Sequence, residues 1–186
     1  MTNITITTKK YNMVRFSSIT IMFLLFIASS YAAKIVNVQT ICKKTQNPTF
    51  CSTFLKSRPR SVHGDLVSLA KYSIEDAHAK ITNTINLITK LIARSRNNAE
   101  KSHYQWCSLG FTSALDEIEE AQGFIESEEY EGLYDDAETI REAAPDCLNG
   151  VYGNPSFDDN TLLPKYAHDV EKVADILLVI SNILRH

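Results

Sequence analysis

Glycine and proline are scarce in this 186-residue chain, at 6 and 5 residues, which excludes collagen-like and low-complexity classes. No apolar run reaches the roughly 20 residues needed to cross a bilayer; the longest is residues 19–28, ITIMFLLFIA. Neither sign of charge dominates, with 19 Lys+Arg against 22 Asp+Glu and a net charge of −3, so no basic field is present to neutralise a nucleic-acid backbone. G-x-S-x-G, H-E-x-x-H and Gly-rich phosphate loops are missing, and strand-like alternation is nowhere sustained. What is present is 44% hydrophobic and 22% charged residues, sufficient for the core of one ordinary globular domain and too short a chain for two.

The N-terminus has the features of an export address. Lys9, Lys10 and Arg15 precede the apolar run, and Ser30-Tyr31-Ala32 places small residues at the −3 and −1 positions of a cut after Ala32, so residues 1–32 are expected to form a secretory signal peptide. Its loss removes three cations and no acid, taking the charge from −3 to −6. The mature chain is then acidic, exported and without a membrane segment. Asn3 is the one permitted Asn-x-Ser/Thr site and leaves with the leader, whereas Asn47-Pro48-Thr49 and Asn154-Pro155-Ser156 are blocked by proline.

Periodicity predicts helices throughout. Short amphipathic stretches at 35–44 and 49–56 flank Asn47-Pro48, a turn signal, and form an N-terminal helical hairpin within residues 33–60. The breaker-rich SRPRSVHG (57–64) leads to Asp65, a good N-cap. Apolar residues then recur at steps of three or four along four segments: Leu66, Ala70, Ile74, Ala77, Ile81, Ile85, Ile88, Ile92; Tyr104, Cys107, Phe111, Ala114, Ile118, Ala121, Ile125; Leu133, Ala137, Ile140, Ala144, Cys147; and Tyr166, Val170, Val173, Leu177, Ile180, Leu184. Short joins at 96–98 and 127–129 force antiparallel neighbours. The expected fold is all-α, an up-down-up-down four-helix bundle over 61–186 behind the hairpin, the two together forming one domain.

Four cysteines in an exported chain imply oxidised pairs. Cys42 and Cys51 lie nearly equidistant from the Asn47-Pro48 turn, and Cys107 and Cys147 are each 20 residues from Ser127. Equal distance from an antiparallel turn means equal height, so the pairing predicted is Cys42–Cys51 and Cys107–Cys147. Loop-closure arithmetic assigns them about 2.7 and about 4 kcal/mol.

The candidate chemistry has plainer explanations. Glu75-x-x-His78 and Glu100-x-x-His103 have the spacing of a di-iron bundle site, but the turn near Asn97 puts them roughly 28 Å apart in height at 1.5 Å per residue. His78 and His103 are expected at solvated or edge positions and His63 exposed, and no metal or other cofactor is expected. The acidic residues Asp116, Glu117, Glu119, Glu120, Glu126, Glu128, Glu129 and Glu131 read as a hydrated outer face.

Cys42-x8-Cys51, the link RSVHGDLVSLA, four helices and the second pair Cys107 and Cys147 together resemble the plant invertase and pectin methylesterase inhibitor family. Thr40-Ile41-Cys42-Lys43-Lys44-Thr45, Asn47-Pro48-x-x-Cys51, Arg60-Ser61 with Asp65, and Leu69-Ala70 fall in the order that family shows. The resemblance implies a secreted, non-enzymatic inhibitor, monomeric when free, that occludes a cell-wall or vacuolar pectin methylesterase or invertase in a stoichiometric complex. A non-inhibitory binding or allergen-like protein of the same fold is the alternative. Invertase inhibitors of the family carry Pro-Lys-Phe near the start of the third bundle helix, where this chain has Tyr130-Glu131-Gly132; Tyr130 matches the tyrosine of the allergen-like branch.

The segment 127–136 is a turn fixed by the bundle and, on this reading, by a nearby disulfide, so it presents a surface that costs little entropy to order. Glu128, Glu129, Tyr130, Glu131, Leu133 and Tyr134 are the candidate target contacts: tyrosines suit interface hot spots and the carboxylates attract a basic partner. Alternatively, Tyr130 closes the end of the core and the carboxylates remain hydrated. Lys90, Arg94, Arg96 and Lys101 flank the first bundle turn. The helix dipole accounts for Lys90 and Arg94, and a pectin-binding patch is the alternative use.

Overall fold

The computed structural model describes residues 37–149 and 159–186. The leader assigned to 1–32 lies outside them. Among the described residues six α-helices follow in order: α1 Val38–Cys42, α2 Pro48–Lys56, α3 Leu66–Arg94, α4 Asn98–Ser127, α5 Tyr130–Asn149 and α6 Leu163–Leu184, with one 3-10 turn, Arg60–Val62, before α3. Helices α3 to α6 pack with their neighbours in an up-down-up-down ring, α6 closing against α3. No strand occurs among the described residues.

Local sequence explains where the helices start. Asn37, Asn47, Asp65 and Asn97 are N-caps whose side chains accept from Gln39, Phe50, Val67 and Glu100 backbone N–H groups, satisfying donors that the first turn leaves unpaired. Glu100 also reaches back to the Arg96 N–H at 2.7 Å, which sharpens the α3–α4 turn in the manner of a capping box.

The four stripes meet in one interior, with some shifts from the simple pattern. Every apolar residue expected on the second and third stripes is buried, whereas Ile85, Ile92, Tyr166 and Leu184 lie at the edge, half-exposed. On α6 the inward line begins at Leu163 and Ala167, both fully buried, and Tyr166 turns instead toward α3. Residues 173–178 of α6 are buried on every side because α1 and α2 cover its outer face, and apart from Asp175 this stretch is apolar all round.

A buried acid anchors that cover. Asp175 accepts the Gln46 N–H at 2.7 Å, tying the tip of the hairpin to α6. Burial pushes its pKa up, and the Gln46 bond opposes that shift. Phe50 and Phe54 stack at 6.0 Å, with Lys172 over Phe50 at 5.6 Å and Arg58 over Phe54 at 4.4 Å. Arg58 also pairs with Asp76 at 3.5 Å, tying the link after α2 to α3. His63, expected to be exposed, is half-buried and donates from Nε2 to the Arg58 carbonyl at 2.8 Å.

Both disulfides join the expected partners. Cys42–Cys51 closes the hairpin and Cys107–Cys147 links α4 to α5, with Cα separations of 5.4 and 4.6 Å. The second bridge sits in the core and holds the last turn of α5 beyond Pro145. Replacing Cys107 and Cys147 together with serine should lower unfolding free energy by about 4 kcal/mol while far-UV circular dichroism stays helical. A denaturant midpoint unchanged from the oxidised chain would contradict that role.

Candidate functional site

Helices α4 and α5 are joined by only Glu128 and Glu129. Glu128 takes the left-handed conformation, φ 61°, and the Glu129 N–H returns to the Phe124 carbonyl at 2.9 Å, the bonding pattern that closes a Schellman cap. Glycine is the usual residue at such a position, and a side chain there costs about 1 kcal/mol. Glu126 and Glu128 also sit at the negative end of the α4 dipole, and no basic residue occupies that last turn; each such acid costs a few tenths of a kcal/mol. The turn is therefore built from residues that a helix end does not favour.

Packing makes this costly turn rigid. Leu133 is fully buried, so it anchors the start of α5 from within and drops out of the candidate contact set: a side chain sealed in the core cannot reach a partner. A Cβ on Gly132 would lie 2.8 Å from the Phe124 ring, so the missing side chain is what lets that ring lie across α5. The C-terminus of α6 completes the tip. Arg185 pairs with Glu131 at 2.7 Å and lies over the Tyr134 ring at 3.7 Å, which holds Tyr134 half-buried. Tyr130 packs its ring on the core edge; burial raises its pKa, and the Glu128 and Asp65 carboxylates add to the rise, keeping the phenol neutral.

These residues border an open groove of ≈ 530 Å³ lined by Phe124, Glu128, Glu129, Tyr130, Glu131 and Arg185, among others. Of the six candidate contacts, Glu128, Glu129 and Glu131 are exposed and Tyr130 and Tyr134 half-exposed. The acidic face continues down α4 through exposed Asp116, Glu119, Glu120 and Glu126. The Cys107–Cys147 bridge is not near this tip. Cys107 lies 20 residues from Ser127 and Cys147 17 residues from Tyr130, about 25–30 Å of helix, so the tip is fixed by its own packing and the bridge sets the register of α4 and α5 at their other end.

A buried acid was not anticipated. Asp136 lies 6% exposed on α5, and its pKa rises to about 7 through burial first, then its interaction with Glu117 of α4 and the Glu120 charge. The i+4 step from Asp136 to Ile140 on the stripe was the available signal. His103 corrects the expectation of a solvated edge: it is 2% exposed, with Nε2 3.7 Å from Cys107 Sγ and its ring against Tyr104. It stands one turn before Cys107, hence on the buried stripe, and burial lowers its pKa. His103 with Cys107 and Cys147 is a grouping of metal-ligand type, but both sulfurs are spent in the disulfide and thiolate is the ligating form. His78 is part-exposed and 3.8 Å from Glu119 across α3 and α4.

Comparison with known proteins fits this architecture. The family model of the plant invertase/pectin methylesterase inhibitors matches residues 36–180. The chain belongs to that family. It is 33% identical over 147 residues to a pectinesterase inhibitor of Actinidia deliciosa, covering 79% of this chain and 78% of the relative. Over 164 residues it is 32% identical to pectinesterase inhibitor 1 of Arabidopsis thaliana, covering 88% and 91%. The crystal structure of mutant form A of a pectin methylesterase inhibitor from Arabidopsis superposes with a TM-score of 0.69 at 28% identity, covering 78% of this chain and 95% of that one. These inhibitor-family relatives are not enzymes.

Two outcomes follow for the tip. Glu128→Gly should raise stability by about 0.5–1 kcal/mol, and a loss measured in urea would contradict the cap geometry. Asp136 binds its proton more tightly folded than unfolded, so its contribution is complete below the unfolded value of 3.8 and is lost as pH rises through about 7. The melting temperature should therefore fall from pH 4.5 to 7.5, and Asp136→Asn should flatten much of that fall; an identical slope in the variant would refute it.

Proposed function

We propose that the protein is an extracellular inhibitor of a pectinesterase, acting as a monomer that binds one enzyme molecule and covers its active-site cleft with the α4–α5 tip. The observation carrying this reading is an acidic, aromatic turn that is locally unfavourable yet rigidly packed, in a chain of the inhibitor family. Consistency between local preference and fold is the rule in proteins, and its failure concentrates at functional sites. Here Glu128 breaks that rule twice, in its backbone conformation and at the helix dipole.

A rigid tip spends little entropy on binding. Tyr130 supplies apolar area with a phenol that can pair at the rim, while Glu128, Glu129 and the acidic face of α4 accelerate encounter with a basic enzyme surface. The choice of pectinesterase over invertase rests on the curated relatives being pectinesterase inhibitors and on the tip itself. Gly132 stands where the invertase-inhibitor motif has phenylalanine, and the Phe124 ring occupies the space a side chain at 132 needs. Residues 1–32 would direct export, and residues 33–60 and 61–186 would act as hairpin and bundle of one inhibitor domain.

Titration into pectinesterase and invertase assays near pH 5 should give one-to-one inhibition of the first and none of the second. Tyr130→Ala should weaken inhibition roughly tenfold or more with little change in melting temperature. Equal potency of that variant would remove the tip from the interface, and inactivity toward both enzymes would favour a binding protein without an inhibitory target.

A further inference from the structure

The opposite region of the bundle has a different chemistry. Residues 77–99 contain no carboxylate, although the chain is acidic overall. Along α3 the side chains Lys80, Asn83, Asn86, Leu87 and Lys90 form one stripe facing Tyr166, Lys165 and Asp169 of α6, and together they line two adjoining hollows of ≈ 190 and ≈ 280 Å³ that share Asn83 and Tyr166. From Lys80 to Lys90 the groove runs about 15 Å at 1.5 Å per residue.

Its charges sort into used and unused. Lys80 pairs with Asp76 at 3.2 Å and Asp169 with Lys172 at 3.2 Å, so the acid bordering the groove is already neutralised. Among the described residues, Lys90 and Lys165 have no carboxylate partner, and Lys165 Nζ stands 5.8 Å from the Tyr166 ring centroid. Asn83 and Asn86 are exposed. Asparagine is a poor helix former at solvated positions, where Ala, Glu or Lys would cost less. Local stability therefore does not account for two of them, one turn apart, in the middle of a 29-residue helix.

We propose that this groove binds a carboxylate-bearing sugar chain, the class of polymer that pectinesterases leave when they hydrolyse methyl esters. The lysines pair with ring carboxylates, the asparagine amides bond hydroxyls, and the Tyr166 face packs against a sugar ring over the apolar floor of Leu87. An amide and aromatic lining between two cations suits an acidic sugar better than an acidic peptide, which offers few hydroxyls. The groove lies about 20–40 Å along α3 from the tip, so it stays open whether or not an enzyme occupies that tip, and the inference does not depend on the target.

Calorimetric and NMR titration of the purified protein with de-esterified oligogalacturonate, the same oligomer fully methyl-esterified, and polyglutamate tests it. The de-esterified sugar should bind, lose affinity as salt screens the lysines, and shift the Asn83, Asn86 and Tyr166 signals; the esterified sugar and the polypeptide should bind roughly tenfold or more weakly. Lys90→Glu with Lys165→Glu should weaken the sugar by a similar factor. Asn83→Ala with Asn86→Ala, which favours the helix, should raise the melting temperature while still weakening binding. No binding, equal binding of polyglutamate, or full affinity in the asparagine double variant would overturn the proposal.

Discussion

The relative height of α4 and α5 is the constraint on which the rest depends. A two-residue join leaves no slack, so a slip of one helical turn would set Leu133, Ala137 and Ile140 about 5.4 Å out of register with the core they pack into. Two features hold the register from opposite ends. The Cys107–Cys147 bridge fixes it near the start of α4, and the Phe124–Glu129 bond, with Phe124 laid across Gly132, fixes it at the turn. Between them, Asp136 and Glu117 face each other across the same pair of helices. Because burial and the Glu117 carboxylate raise the Asp136 pKa, the helix pair is held most firmly in mildly acidic surroundings.

Local helix-end preferences are not met at the tip. A glycine at position 128 and a basic residue in the last turn of α4 would suit the helix end better, yet this chain places carboxylates there. On the α5 side of the turn, α6 contributes Arg185, which neutralises Glu131 and covers Tyr134. Charge is also divided along the bundle. Acidic side chains gather at the α4–α5 turn and on α4, while the α3–α6 side carries lysines and amides, so the two regions suit partners of opposite sign.

Much of the architecture was legible because periodicity, caps and punctuation agreed. Asp65 marked a helix start and Asn97 a turn, and the cysteine spacing encoded antiparallel register. What escaped had a common cause: a helical stripe shows which residues face inward but not what meets them. Asp175 sits on a face that a bare bundle would hydrate, and only the covering hairpin buries it. Asp136 went unremarked and His103 was expected at a solvated or edge position, although both occupy stripe positions. Tyr166 was assigned inward by a four-residue step to Val170, when Leu163 and Ala167 set the true line. At the tip the candidate residues were found as a segment, and burial then separated Leu133, an anchor, from its exposed neighbours.

The central claim is that this rigid acidic turn is the surface a pectinesterase meets. Hydrogen exchange followed by mass spectrometry, on the free protein and on its complex with the enzyme, tests it directly. The account expects new protection across residues 124–134 and at the C-terminus of α6. Inhibition with protection confined to α1 and α2, leaving the α4–α5 turn exchanging as in the free protein, would contradict it.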